Sequence, residues 1–550
     1  MKSNKEISKL FGLFAELLQL HGQDARLAEV LSGAAYRMRR IDETVLRMSD
    51  EELKTLFRPA VGALLYELKK SGTIADLDEL VQLTPPGLFD MMRIKGLGGK
   101  KLAVLWKTAK IDNVEDLLAA CKDNSLGKIP GFGAKTEQNI IAAIEGMNKN
   151  ADRFHYADVA DMADELVSSL QRLYKDEHTS LCGDVRRQAT TVAEIELITT
   201  LLPKALKAAA IKKVMTIAGT VDDVTRGHTL DEMPVSIYHC GEKDFYRQLF
   251  ERTGNAAHVE KVMAQIKTKR GLSSEATIYK KAGLPFIYPE MREDIAEWEY
   301  AEDPLPLIED RHIKGVVHNH TTWSDGVDKL EAFVNACKKK KYEYAVISDH
   351  SQNAHYAGGL KPDKVLRQME EIDKLNKHVA PFKIFKSIEC DILVSGELDY
   401  TPELLEQFDL VIISIHQLLK MNEEKATARL IKAIENPYTT ILGHMTGRQL
   451  LIRPGYPVDF KKVIDACAAN GVVIEINANP YRLDMDWSHI PYAMKKGVMI
   501  SINPDAHSIH EIDNIRWGVS AARKGGLTKD MTWNAMSLKE VEDWLERKNG

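Results

Sequence analysis

The sequence predicts a multidomain chain built in three styles: helices alone, then a mixed α+β region, then a C-terminal barrel of alternating strands and helices. Three observations carry this. At 550 residues the chain is too long for one ordinary core. Residues 1 to 150 are dominated by amphipathic helix signals such as "EISKLFGLFAELLQLHG" and "VEDLLAACK". Beyond residue 312, short apolar strands ("YAVIS", "LVIIS", "TTILG", "GVVIEIN", "GVMISIN") alternate with helical stretches, the pattern of a parallel sheet or barrel.

Between these ends, residues 155 to 285 mix helices with strands such as "VAEIELIT", "KVMTIAG" and "MPVSIYH". Residues 286–312, "FIYPEMREDIAEWEYAEDPLPLIEDRH", are acidic, carry Pro289, Pro304 and Pro306, and read as a linker. Apolar runs such as "LVIISI" fall far short of the roughly 20 residues a membrane span needs. The N-terminal "MKSNKEISKLFG" lacks the apolar stretch of a signal peptide, so a cytoplasmic protein without a membrane partner is expected. The cysteines (Cys121, Cys182, Cys240, Cys337, Cys390, Cys467) form no C-x-x-C pair, which argues against a disulfide framework or thiolate zinc site and for buried packing. A net charge of −6 leaves nucleic-acid binding undecided.

The stretch "VVHNHTTWSDG" places His318 and His320 one residue apart, with Asp325 following. Alternate side chains of an extended strand share a face, so both imidazoles would point the same way at the strand's end. Almost every later strand also ends in a metal-capable side chain: Asp349 and His350 in "VISDHS", Glu389 in "KSIECDIL", His416 in "IISIHQ", His444 in "ILGHMTGR", and Asp505 and His507 in "SINPDAHS". A set of His, Asp and Glu without Cys suits divalent manganese, zinc or iron, and Glu389 can bridge two ions. Such paired metals activate water and hold the oxygens of a phosphate ester, so phosphoester hydrolysis is the natural chemistry.

In order and spacing, "HNHTTWSDG", "ISDHS", "IECDIL", "SIHQ", "GHMTGR", "EINANPYRLD" and "PDAHS" resemble the PHP (polymerase and histidinol phosphatase) domain. The resemblance implies a distorted (β/α)7 barrel over 313–550 holding up to three metals, manganese first and zinc or iron as alternatives. Carried over by position, His318, His320, Glu389 and Asp505 would bind one ion; Glu389, His416 and His444 a second; Asp325, His350 and His507 a third. Arg448 and Asn479 fall near the same mouth, as phosphate contacts, supports or packing residues, and Asp349 would stand behind a ligand.

In the N-terminal half, "IKGLGGKK" and "IPGFGAKT" are two glycine turns that each precede a helix. Gly96, Gly98, Gly131 and Gly133 would free backbone N–H groups to face a phosphate, with Lys100, Lys101 and Lys135 adding charge. The pair resembles the helix-hairpin-helix motifs that grip a DNA backbone without reading sequence. The whole layout resembles a bacterial family X DNA polymerase. That resemblance implies a lyase-like helical domain (1–85), a fingers-like hairpin domain (86–150), a palm-like domain (151–230), a thumb-like domain (231–285), the linker (286–312) and the PHP barrel. It also implies gapped, nicked or damaged duplex DNA as partner, with the protein a monomer.

The polymerase half departs from the family pattern. In "CGDVRRQATTVAEIELI" the nucleotide turn keeps Gly183, Arg186 and Arg187 but has Asp184 in place of serine, and an acid there repels a triphosphate. The first two catalytic aspartates fall on Glu194 and Glu196, one methylene longer, and the third on Ser236; Asp231 and Glu232 lie close enough that a slipped alignment would restore an acid. Glu251 and Arg252 replace the sugar-contacting aromatics before Thr253 and Gly254. In the N-terminal domain Ala60 stands where a hairpin glycine belongs and Leu68 where a lyase would carry its Schiff-base lysine. These readings favour a DNA-repair phosphoesterase, a 3′–5′ exonuclease or end-processing enzyme with an inactive polymerase site. The alternatives are a bifunctional gap-filling polymerase with exonuclease, or a small-molecule phosphatase or DNA-binding scaffold.

Overall fold

The computed structural model describes residues 2–549 other than 3, 39, 40, 42, 43, 95, 151, 208–210, 212 and 213. The chain divides into two compact units, 1–151 and 152–550.

The first unit is helical, with Phe11, Leu31, Leu88, Leu102 and Leu117 fully buried. Helix Pro59–Ser71 opens on proline and stops at Gly72, whose φ of 80° no other residue adopts as readily. It turns Val61, Leu65 and Leu68 to the core and leaves Lys69 and Lys70 exposed. Leu68 is thus a packing residue. The two glycine turns share one design: exposed Gly96 and Gly98 flank buried Leu97, and exposed Gly131 and Gly133 flank buried Phe132. The buried apolar residue pins each turn while its glycines face outward. Gly96 and Gly131 sit at φ 91° and 90°, the left-handed region, whereas a Cβ at Gly98 or Gly133 would meet nothing within 4 Å.

In the second unit, helix Tyr156–Leu173 packs on a mixed sheet whose spatial order is Thr179–Leu181, Ile195–Thr199, Pro234–His239, Val224–Thr229, Met215–Val221. The stretch expected as a linker is folded into the protein. Ile287, Met291 and Leu307 share a core with Phe250, Val262 and Ile278, and Arg292 is fully buried, donating to Glu275. Its acidic composition reflects pairing: Glu290 accepts from Arg523 and Glu293 from Lys524, both on the barrel helix Ile515–Lys524, and Glu297 from His258.

The barrel follows chain order. Its seven parallel strands are Gly315–Asn319, Tyr344–Ile347, Lys383–Asp391, Leu410–Ser414, Thr439–Leu442, Val473–Asn477 and Ile500–Asn503. They are almost wholly buried on both faces, as helix-covered parallel strands are. Alternation sorts their side chains into two cores. Val316, Ala345, Ile347, Val411 and Ile413 pack under the helices, while Val317, Tyr344, Val346, Leu410 and Ile412 pack with Trp533, Val541 and Leu545 near the C-terminus. First and last strands meet only through a short bridge: the Ala506 N–H donates to the His318 carbonyl and the His320 N–H to the Ala506 carbonyl. The barrel is nearly closed, and its seam runs through the candidate ligands.

Candidate metal centre

The nine residues expected as ligands converge at the carboxyl ends of the barrel strands. Ligand atoms of His318, Glu389 and His444 lie within 4.8 Å of one another, and the same holds for His318, His320 and Asp505, for His350, Glu389 and His416, and for His320, Asp325, His350 and His507. The clusters share ligands more widely than the three expected sets, in which Glu389 alone is shared. His320 and His350 each face two of them, and Glu389 is the hub, 2.9 Å from His444 Nε2, 3.1 Å from His416 Nε2, 3.2 Å from His318 Nε2 and 2.9 Å from His350 Nδ1. His318 and His320 both point into the mouth, but not by strand alternation alone. His318 has φ 63° and Asp505 has φ 51°, so the two residues flanking the seam are both left-handed, a strain that recurs at functional sites.

The residues present fit a cation. His318 Nε2, both ring nitrogens of His320, His350 Nδ1, His444 Nδ1 and Glu389 Oε2 are buried and make no aligned hydrogen bond, although His350 Nδ1 and Glu389 Oε2 lie 2.9 Å apart. Buried polar atoms are normally paired, so orphans gathered in one place mark an absent partner that accepts lone pairs. Burial and the charges of His507 and His350 press the His320 imidazole down to about 3, leaving it neutral. Burial opposes charge on His318, His416 and His507 too, but nearby carboxylates outweigh it: His318 is held well above the usual histidine range by Glu475, Glu389 and Asp505, His416 is raised to about 10 by Glu389 and Asp391, and His507 to about 9 by Asp325 and Asp505. Burial likewise opposes charge on Asp325, yet His507 draws it down to about 2.

Two carboxylates behind the ligands were not among the expected residues. His318 Nδ1 donates to Glu475 Oε2 at 2.6 Å, and Glu475 also accepts from the His444 N–H and from Asn503 Nδ2. His416 Nδ1 donates to Asp391 Oδ1 at 2.6 Å, and Asn353 Nδ2 donates to the other Asp391 oxygen. Each carboxylate fixes its imidazole's tautomer and turns the other ring nitrogen to the mouth. Asp349 accepts from Thr321, Ser324 and Gln368 and holds the loop after His320. Arg448 is spent internally, donating to Asp486 and to the Arg482 and Leu483 carbonyls; Asn479 accepts from the Tyr481 N–H within its own turn.

The palm-like region is wired differently. Parallel pairing sets Ser236 beside Glu196, and Ser236 Oγ donates to Glu194 Oε2 at 2.6 Å; Asp231 and Glu232 precede the strand. Arg186 donates to both Glu275 oxygens and to Thr253. Arg187 donates to Asp184, to Glu293 and to the Thr253 carbonyl. Glu196 accepts from the Tyr238 hydroxyl and lies on the glycine of the turn: a Cβ at Gly183 would fall 1.6 Å from its Oε2. Burial and the neighbouring Glu194 charge raise Glu196 above the usual carboxylate range. Arg252 stacks 3.6 Å over the Tyr238 ring.

Fold and site together define a PHP-type barrel joined to a polymerase-like body. Comparison with known proteins agrees. Over 568 aligned positions, covering 99% of each chain, the sequence is 34% identical to the DNA polymerase/3′-5′ exonuclease PolX of Bacillus subtilis (strain 168). A probable phosphatase of Thermoanaerobacter sp. (strain X514) is 26% identical over 260 positions, 44% of this chain and 96% of the relative. A probable phosphatase of Clostridium novyi (strain NT) is 27% identical over 204 positions, 32% of this chain and 80% of the relative. Residues 89–145 match the family described as a SAM-like helix-hairpin-helix tandem. The chain belongs to the bacterial family X DNA polymerases that carry a C-terminal PHP domain. Among the described residues, no helix is long and apolar enough to cross a membrane.

Proposed function

We propose that the barrel hydrolyses DNA phosphoesters as a metal-dependent 3′–5′ exonuclease or end-processing enzyme of DNA repair, and that the palm does not extend primers. The buried orphan nitrogens and the orphan Glu389 oxygen carry this reading. His318, His320, Asp325, His350, Glu389, His416, His444, Asp505 and His507 would hold up to three divalent ions, manganese first, with zinc or iron as alternatives. Bound there, such ions supply Lewis acidity and an activated water. The protein's part is orientation: Glu475 and Asp391 fix the rings of His318 and His416. Gly96, Gly98, Lys100, Gly131, Gly133 and Lys135 would take the backbone of gapped, nicked or damaged duplex through phosphate contacts, independent of sequence. The protein would act as a cytoplasmic monomer.

Polymerase silence is supported by the palm's wiring. Nucleotidyl transfer needs carboxylates that hold two metals and a turn that accepts a triphosphate. Ser236 replaces one carboxylate, and Arg186 and Arg187 are already paired with acids. The Bacillus relative, named for both activities, favours the second reading, an active gap-filling polymerase with exonuclease. A 5′-labelled gapped duplex with manganese, with and without the four nucleotides, separates the two in wild type and His318→Ala. We expect shortening by wild type only and extension by neither. Template-directed extension by His318→Ala would restore the bifunctional reading, and undiminished shortening by that variant would remove the barrel from the reaction.

A further inference from the structure

One large aromatic stands exposed at the mouth of the metal centre. Tyr356 is 67% exposed, yet its ring centroid lies 6.1 Å from that of His350 and 6.4 Å from that of His416. Isolated exposed aromatics are common and mean little by themselves. This one is presented by a fixed segment. The short helical turn His355–Ala357 is held by buried Ala354 and Ala357 on either side of the tyrosine. Before it, the Asn353 N–H donates to Asp399, Asn353 Nδ2 to Asp391, and Gln417 to the Asn353 carbonyl. After it, Gly359 packs so closely that a Cβ there would fall 2.0 Å from the Ser351 carbonyl oxygen. Asp391 anchors this loop with one oxygen and orients His416 with the other, so ring and ligand are positioned by one carboxylate.

The hydroxyl end faces the carboxylates. Glu389, Asp391 and Asp325 are the acids whose charges act on it. Arg482 lies near enough for its charge to act on both this hydroxyl and Asp505, and its guanidinium is committed to no ion pair among the described residues. The mouth therefore offers an aromatic face and an uncommitted cation beside groups that can hold metal. A nucleotide has the complementary parts, a flat base and a charged phosphate.

We infer that Tyr356 is the base platform of this site: the base of the 3′-terminal nucleotide stacks on its exposed ring while the scissile phosphodiester lies over the His350 and His416 side. The preferred substrate class is then a base-bearing, unpaired 3′ end. This rests on the exonuclease reading above. Stacking on aromatic side chains tolerates any base, because every base has a π-face.

The test compares two oligonucleotides with 3′ overhangs, identical except that one ends in a normal nucleotide and the other in a baseless tetrahydrofuran residue. Terminal release is measured with manganese for wild type, Tyr356→Ala, Tyr356→Phe and Tyr356→Trp, with bound manganese counted in each. Wild type should favour the base-bearing end in kcat/KM, mainly through KM, by about tenfold, the scale of one stacked base. Tyr356→Ala should collapse that ratio towards one with metal content retained, while Tyr356→Phe and Tyr356→Trp keep it. A preference that survives in Tyr356→Ala, or that is lost equally in Tyr356→Phe, overturns the platform. Release of neither end by metal-loaded wild type would sink the exonuclease reading itself, and this inference with it.

Discussion

The barrel mouth and the palm both gather acids and bases around a would-be phosphate site, yet they treat their polar groups in opposite ways. In the mouth, four imidazoles and Glu389 keep buried atoms without aligned hydrogen bonds, and the satisfied carboxylates orient ligand rings, Glu475 that of His318 and Asp391 that of His416. In the palm, Arg186, Arg187, Glu194 and Glu196 find partners within the protein. Leaving a buried donor or acceptor unpaired costs on the order of 1–3 kcal/mol. A protein keeps such a deficit where a ligand makes it good. Internal pairing of this kind is what the proposed loss of primer extension would leave behind. The difference lies in how completely each set of residues is satisfied, not in which residue types it contains.

The sharpest way to break this comparison is at the hub. Glu389 lies within 4 Å of five imidazoles, so Glu389→Gln should abolish tight metal uptake and lower hydrolysis on the order of 1,000-fold, with DNA retention unchanged. Metal counting on the purified variant, beside a filter-binding assay, checks both halves. A variant that loads normally would show that the orphaned atoms serve some purpose other than metal binding.

A smaller effect concerns protons. The folded pKa values of His318, His416 and His507 lie above the ordinary histidine value, the latter two at about 10 and about 9. In the metal-free protein their contribution to stability is therefore fully present below about pH 6.5 and lost as pH rises through 9 to 10. A metal must displace these protons, so uptake should release protons at pH 7 and tighten by up to about tenfold per pH unit for each proton expelled. Titration calorimetry in two buffers of different ionisation enthalpy reads the proton count directly. Affinity that stays flat between pH 6.5 and 8.5 would contradict it.

Much of this was legible in the sequence because the informative residues stand where strands end. His350, His416 and His444 each follow an apolar run, and a polar side chain there has one face to occupy. The supporting acids were missed because they sit inside or at the end of the strands. A glutamate in "GVVIEIN" and an aspartate in "IECDIL" break otherwise apolar runs, and an acid buried in such a run must be paired. That signal could have found Glu475 and Asp391. Residues 286–312 misled for a different reason: acidity and prolines suggest an exposed connection, but the partners Arg523 and Lys524 lie more than 200 residues away, and pairing over that span leaves no local trace. The left-handed His318 was equally invisible, since it follows from closing the barrel on Ala506 rather than from any local preference.

The smallest expected effect falls in the helical unit and concerns the hairpins alone. Gly96 and Gly131 are poor places to test DNA contact, because their left-handed backbone would strain any replacement. Gly98 and Gly133 are better, since a side chain there would meet open space and the fold has no reason to resist it. Gly98→Leu and Gly133→Leu should each lower the melting temperature by only about 2–4 °C, a helix N-cap change on the order of 1 kcal/mol. Each should nonetheless weaken duplex binding several-fold by holding a phosphate away from the turn, and the double variant should weaken it more and flatten the dependence on salt. Hydrolysis of a small chromogenic phosphodiester needs no duplex and should be spared. Equal losses on the small diester and on long duplex would mean that the hairpins act on the barrel's chemistry rather than on DNA retention.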